Sequence, residues 1–338
     1  MSAINVFKNR NTKNKVEVSL MFGSTPNISS SFNGKEKIVL YHGNCLNLLD
    51  QIPNKSIQLI VTSPPYNIGK EYEKKLKLDC YLEQQEKVIR ECERVLSENG
   101  SICWQVGNYV DNGSIVPLDT ILYPIFSKLG LVLRNRIIWH FEHGLHCSKR
   151  FSGRYESIVW FTRKTKNYIF NLDPVRVPQK YPGKKYFKGP KAGQYSCNPL
   201  GKNPGDVWDI PNVKSNHVEK TEHPCQFPVE LIERLVLSMT NKNDWVLDPF
   251  LGTGTSIIAA IRHERRGMGA ETQKKYVDIS RERIECSLSG TLSVRPMNKP
   301  KYDPHAAGNK LTIPPQAQYK NEQLMLFEEQ GKYSCENS

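Results

Sequence analysis

The chain has 338 residues, of which 38% are hydrophobic and 24% charged, enough apolar mass for a buried core and too much for wholesale disorder. Lysine and arginine number 47 against 34 aspartates and glutamates, and the resulting +13 favours a polyanionic partner, because phosphate neutralisation rewards spread positive charge. No apolar run approaches the roughly 18–20 residues needed to cross a bilayer. The polar stretch 1–15 lacks the apolar core of a signal peptide, and nine scattered cysteines without a CxxC pair argue against a disulfide scaffold or a zinc site of ordinary spacing. A soluble, cytoplasmic protein is expected.

In chain order, residues 1–36 are rich in Asn, Ser, Lys and Gly and read as a mobile arm. The apolar run from Ile38 to Tyr41 predicts a strand, Asn44 to Leu49 a short helix, and Ile57 to Val61 a second strand stopped by Ser63-Pro64-Pro65-Tyr66. Tyr81 to Leu96 has helical spacing, with Asn99-Gly100 as its stop signal. Ile102 to Val106 follows as a strand, Leu118 to Leu129 as a helix, and Val132 to Trp139 and Ser157 to Thr162 as strands. From Pro174 to Lys220 no long periodic element appears; nine basic residues stand against three acidic ones, interleaved with Tyr181, Tyr186, Phe187, Tyr195 and Trp208. A structureless insertion of this length in a compact domain is usually functional or disordered, and the mixture suits nucleic acid; an ordinary surface loop is the plainer alternative. Trp208-Asp209-Ile210-Pro211 is the stretch that would anchor it to the core. Pro228 to Met239 reads as a helix, Trp245 to Leu247 as a strand, Ser256 to His263 as a helix, Gly267 to Ala270 as a strand and Lys274 to Leu288 as the last helix. Strands alternating with helices predict an α/β domain with a mainly parallel sheet.

Two motifs carry chemistry. The strand at Trp245 runs into Asp248-Pro249-Phe250-Leu251-Gly252-Thr253-Gly254-Thr255 and directly into a helix, so glycine lets a ligand approach the backbone. The third glycine of a dinucleotide fingerprint and the P-loop pattern are both missing. Glu271 ends the next strand, where an acid can accept from ribose hydroxyls or, alternatively, serve as a helix N-terminal carboxylate. Val61-Thr62-Ser63-Pro64-Pro65-Tyr66-Asn67 sits at the end of another strand, where open α/β sheets place their active sites. Its prolines stiffen the turn, the Ser63 and Pro64 carbonyls are free acceptors, and Tyr66 offers an aromatic face.

Together Ser63-Pro64-Pro65-Tyr66 and Asp248-Pro249-Phe250-x-Gly252-x-Gly254 resemble the amino-group DNA methyltransferases, over roughly residues 37–290. The catalytic motif precedes the cofactor motif, similar to the permuted beta class. The resemblance implies a Rossmann-like, doubly wound, mainly parallel sheet, S-adenosylmethionine as cofactor and duplex DNA as substrate. It implies catalytic roles for Ser63, Pro64, Pro65 and Tyr66, and cofactor contacts from Asp248, Phe250, Gly252, Gly254, Thr255, Glu271 and Asn44. Many relatives have an acid at the position of Asn44. The helix after His223-Pro224-Cys225-Gln226-Phe227-Pro228 would lie near the methionine moiety. Residues 37–173 and 221–290 become the catalytic and cofactor-binding halves. Residues 174–220 become the target-recognition insert, with Lys184, Lys185, Lys188, Lys191 and Lys202 facing DNA, and 291–338 a tail.

An exocyclic amino group is a poor nucleophile until acceptors hold its hydrogens, a task suited to the Ser63 hydroxyl and Pro64 carbonyl, with Tyr66 stacking on a base flipped out of the duplex. In this family a leading Ser is associated with cytosine N4 and a leading Asp or Asn with adenine N6; cytosine N4 is the favoured target and adenine N6 the alternative. A non-catalytic DNA-binding protein with the same fold is a further alternative. A restriction endonuclease would be the cognate partner of a modification enzyme. Pro224-Cys225-Gln226 resembles the loop of cytosine C5 enzymes but lies before the glycine-rich strand rather than after it, and reads as a cysteine at a helix entrance. Arg154-Tyr155-Glu156-Ser157 suits either a position facing DNA or the flipped base or a sheet-edge position. His140, His143 and His146 are surface or turn residues rather than a metal set. Gln323, Leu324, Leu326 and Phe327 resemble the short peptide by which bacterial proteins dock on the replication sliding clamp; an amphipathic turn packing on this protein's own surface is the favoured reading.

Overall fold

The computed structural model describes residues 26–301, apart from 71, 72, 74, 112 and 145. The first strands are β1 (Ile28–Ser29) and β2 (Ile38–His42). Helix α1 (Cys45–Asp50) follows, capped by the Asn44 side chain, which accepts from the Leu46 N–H. Then come β3 (Ile57–Thr62), α2 (Leu78–Val95) and β4 (Leu96–Val106), a hairpin of β5 (Asn108–Asp111) and β6 (Ser114–Pro117), and α3 (Leu118–Lys128). Strands β7 (Val132–His140) and β8 (Tyr155–Thr162) precede the short β9 (Val207–Asp209). The chain continues with α4 (Val229–Met239), β10 (Trp245–Asp248), α5 (Thr255–Ile261), β11 (Arg266–Glu271) and α6 (Lys274–Leu288).

Nine strands form one sheet in the order β1-β2-β11-β10-β3-β4-β8-β7-β9. Neighbours from β1 to β4 run parallel, and β8 is antiparallel to both β4 and β7. The strands alternate between two apolar cores. Leu59 and Val61 face the layer of α4, α5 and α6, while Ile60 faces the layer of α1, α2 and α3. Both faces of the central strands are therefore covered, and every residue of β3 is buried. From β3 the chain winds through α2 to β4, and from β10 through α5 to β11 on the other side. The C-terminal ends of the adjacent β3 and β10 thus form the switch point of the sheet, where a crevice opens.

The structure departs from the sequence reading at a few places. Asn99-Gly100 does not stop α2. The helix gives way at Leu96 directly to β4, and the β3–β4 register shifts between Ile57 and Leu59, so the two residues lie inside an irregular strand. The Arg163 guanidinium takes up the Leu96 carbonyl there, at 2.9 and 3.0 Å. The stretch 1–36 is not wholly an arm, because β1 pairs with β2. Within 174–220 the expected anchor at Trp208-Asp209-Ile210-Pro211 is found, since β9 adds to β7 and Trp208 and Ile210 are buried, and burial extends beyond it to Val213 and Glu219. Leu292 and Arg295 are also buried and the compact unit runs to Asn298, past the expected boundary at 290. Gln323, Leu324, Leu326 and Phe327 lie outside the described residues. No described helix is long and apolar enough to cross a membrane.

Candidate active site

A cavity of about 520 Å³ opens at the switch point. Ser63, Pro64, Pro65 and Tyr66 form one wall; Phe250, Gly252, Thr253, Thr255 and Glu271 form another. Motifs almost two hundred positions apart meet because β3 and β10 are neighbours. Their junction is bonded directly: Thr62 Oγ1 donates to Asp248 Oδ1 at 2.6 Å.

Asp248 is fully buried and does not line the cavity, so its expected role as a cofactor contact is corrected. It accepts from Thr62, from the Phe250 N–H at 3.1 Å and from the Ser256 hydroxyl, and so fixes the turn that presents Phe250. Burial pushes its carboxyl up to about 6. Gly254 also stands behind the wall. It precedes α5 with φ +79°, and a Cβ there would lie 3.2 Å from Ser280 Cβ. Gly252 is at the surface of the cavity with φ +57°, and a Cβ on it would stand 3.6 Å from the His223 ring across the cleft. Glu271 accepts from the Gly252 N–H at 3.1 Å and the Gln273 N–H at 2.8 Å, so it both ends the strand and braces the glycine loop. Burial raises its pKa. Asn44 lines the cavity, but its carbonyl is engaged in capping α1, which leaves its amide hydrogens to face a ligand.

The Ser63-Pro64-Pro65-Tyr66 turn is held from behind by Asn67, which is buried in left-handed backbone (φ +60°) and exchanges side-chain hydrogen bonds with the Leu76 backbone. Tyr66 donates its hydroxyl to Glu156 Oε2 at 2.9 Å, and Ser63 Oγ lies 3.0 Å from the Tyr66 oxygen. Tyr66 has one hydroxyl hydrogen, and it is donated in the hydrogen bond to Glu156. The Ser63 hydroxyl is then the donor in its contact with Tyr66, and the remaining Ser63 lone pairs are acceptors only. Gln105 Nε2 donates to both Tyr66 (3.3 Å) and Glu156 (2.5 Å) and holds the pair together. Burial raises the pKa of Glu156 and, with the Glu156 charge, that of Tyr66, so Tyr66 stays protonated. Gly107 lets the tyrosine ring sit close: a Cβ there would meet Tyr66 Cε2 at 3.1 Å.

Sequence reasoning offers Glu156 only as part of Arg154-Tyr155-Glu156-Ser157, facing DNA or lying at a sheet edge, and does not single out Gln105, Trp139, Phe141, Asn212 or Lys214, which also line the cavity. For Gln105 the one available signal is a position near the end of β4, the strand beside the motif strand; Glu156 lies one strand further, at the start of β8. Lys184, Lys185, Lys188, Lys191 and Lys202 are exposed on the insert and none of them lines the cavity. His140 pairs with Asp209 at 2.9 Å, and no group able to hold a metal occurs among the described residues. Cys225 lines the cavity beside His223, whose Nδ1 accepts the Cys225 N–H at 3.1 Å.

The DNA methylase family of N6/N4 type matches residues 57–282. The chain belongs to this family. Type II methyltransferase M.BglII of Bacillus subtilis is 53% identical over 254 residues, 75% of this chain and 70% of that protein. The DNA adenine methyltransferase YhdJ of Escherichia coli is 33% identical, covering 75% of this chain and 84% of its own. Among solved structures, TTHA0409 of Thermus thermophilus complexed with S-adenosyl-L-methionine aligns with a TM-score of 0.53 and 28% identity over 78% of this chain and 99% of that one. The cytosine-N4-specific PvuII DNA methyltransferase shares the fold, with a TM-score of 0.59 and 21% identity over 77% of this chain and 89% of that one.

This DNA methyltransferase uses S-adenosylmethionine. The residues present fit that cofactor. A cradle that a Cβ on Gly252 would partly fill, the carboxylate of Glu271 for hydroxyl groups and the ring of Phe250 for an aromatic face line one continuous cavity.

Proposed function

We propose that this methyltransferase modifies the N4 amino group of cytosine in duplex DNA, as the modification partner of a restriction endonuclease. The observation that carries the reading is the arrangement at Ser63: a hydroxyl, not a carboxylate, heads the catalytic turn, and its proton is committed toward Tyr66. In this reading the Ser63 oxygen and the Pro64 carbonyl accept the two amino hydrogens. Holding them turns the nitrogen lone pair out of conjugation with the ring. The Tyr66 ring supports the flipped base, and Glu156 and Gln105 keep Tyr66 in place. S-adenosylmethionine supplies the electrophilic methyl group. No cysteine nucleophile is required, and positioning is the main source of rate.

The likeness to M.BglII, a Type II methyltransferase, supports a place in restriction–modification. Adenine N6 is the second reading, favoured by the resemblance to YhdJ, which is named for adenine. Mass spectrometry of nucleosides from DNA of cells expressing the chain distinguishes the two. N4-methylcytosine is expected; N6-methyladenine alone would replace cytosine with adenine, and single-molecule sequencing of the same DNA gives the site. Ser63→Ala is expected to lower methyl transfer by roughly 10²-fold, the size of losing one preorganised partner at a reacting centre.

A further inference from the structure

The loop from Phe141 to Arg154, between β7 and β8, carries Phe151 with 99% of its surface exposed. The base of this loop is tied to the active-site cavity at three points. Phe141, a lining residue, donates its N–H to the Arg154 carbonyl at 2.8 Å. Asn212, also in the lining, donates from Nδ2 to the His143 carbonyl at 2.8 Å. Glu156, two residues beyond Arg154, is bonded to Tyr66. Within the loop, Ser152 Oγ accepts the Cys147 N–H at 3.0 Å and turns the tip. The base of the loop is therefore fixed at the cavity lining, and its tip carries Lys149 and Arg150, both exposed, immediately before the phenylalanine.

A large apolar ring in full contact with water is unfavourable, and no packing among the described residues covers it. Its basic neighbours direct the tip to phosphates. Beside a cavity that must receive a base from a duplex, the complementary apolar surface is the gap left in the base stack. We propose that Phe151 is the wedge that enters this gap when the target base leaves the helix, with Lys149 and Arg150 gripping the adjoining backbone. The proposal rests on the reading above, in which the substrate is duplex DNA with a flipped base. Phe187, 89% exposed, is the internal comparison: it lies on the insert, in a stretch without the bonds to lining residues that fix the base of the Phe151 loop, and Lys188 Nζ is 6.0 Å from its ring.

The test uses the full chain and duplexes carrying the site found by sequencing, in two forms: fully paired, and with the target base opposite an abasic position so that extrusion costs little. Phe151→Ala is expected to methylate the paired duplex at least about tenfold more slowly, equivalent to roughly 1.4 kcal/mol, and to recover near wild-type rate on the abasic form. Phe151→Trp is expected to keep the paired rate. Phe187→Ala is expected to show no difference between the two forms. Fluorescence of a 2-aminopurine placed at the target position should rise on binding the wild type and not on binding Phe151→Ala. A wild-type rate for Phe151→Ala on the paired duplex, or an equal loss on both duplexes, overturns the wedge. Failure of the wild type to methylate either duplex overturns instead the reading on which the wedge rests.

Discussion

Thr62 and Asp248 share a 2.6 Å hydrogen bond between the last residues of two neighbouring parallel strands, and each is completely buried. It joins the strand that delivers the Ser63-Pro64-Pro65-Tyr66 turn to the strand that delivers the glycine loop. Because the acid also accepts from the Phe250 backbone, the position of one motif is transmitted to the other through a single carboxylate.

Thr62→Val keeps the shape and removes the donor. Asp248 would keep its bonds from Ser256 and Phe250 but lose one partner in a dry site, and the expected cost is roughly 1–3 kcal/mol. Thermal or denaturant unfolding should show this loss, and Thr62→Ser should restore most of it. Weaker cofactor binding should accompany the loss, because the Phe250 turn hangs on the same acid.

Tyr66 and Glu156 act as one unit. Tyr66→Phe keeps the aromatic face and frees the Ser63 hydroxyl to rotate, so methyl transfer is expected to fall about tenfold, the worth of one hydrogen bond to a charged group. Cofactor affinity should be unchanged. Glu156→Ala is expected to give a similar loss, and the double variant should be no worse than either single one. A double-mutant cycle on the transfer rate reads this directly; additive losses would separate the two residues.

Glu219 predicts a pH dependence. It is buried and accepts from the backbone N–H groups of Val229 (2.8 Å) and Arg295 (3.0 Å), and burial pushes its carboxyl up from 4.5 to about 7. The folded state therefore holds a proton that the unfolded chain releases. Its contribution to stability is complete below pH 4.5 and is lost as pH rises through about 7. Buried Asp248, raised from 3.8 to about 6, has the same sign. Unfolding free energies measured across this window should decline toward neutral pH, with a shallower decline for Glu219→Gln.

The lysines of the insert are exposed and away from the cavity. Lys184→Ala, Lys185→Ala and Lys188→Ala are each expected to weaken DNA binding uniformly across sequences and to reduce the slope of log affinity against log salt by about 1 for each phosphate no longer neutralised. Titrations at several salt concentrations measure that slope. Methylation at saturating DNA should be unaffected.

The positive charge, the alternation of strands and helices and the two motifs are legible in the sequence, because each depends on neighbours in the chain. Apolar periodicity sets the helices, and the spacing from Lys274 to Leu288 marks both ends of the last one. Ser-Pro-Pro-Tyr and the glycine loop are visible because turns are built from contiguous residues. Local sequence cannot show that Asn99-Gly100 sits in a strand, since a turn signal and an irregular strand share the same local chemistry, and only the pairing of β4 with β3 decides between them. Nor can it show that Asp248 lies beneath the cavity wall rather than in it, or that Glu156 and Gln105 hold Tyr66. Those assignments depend on which strands become neighbours and which face each side chain takes. Long-range packing sets both, so local residue order names the chemical groups while the tertiary structure decides which of them meet.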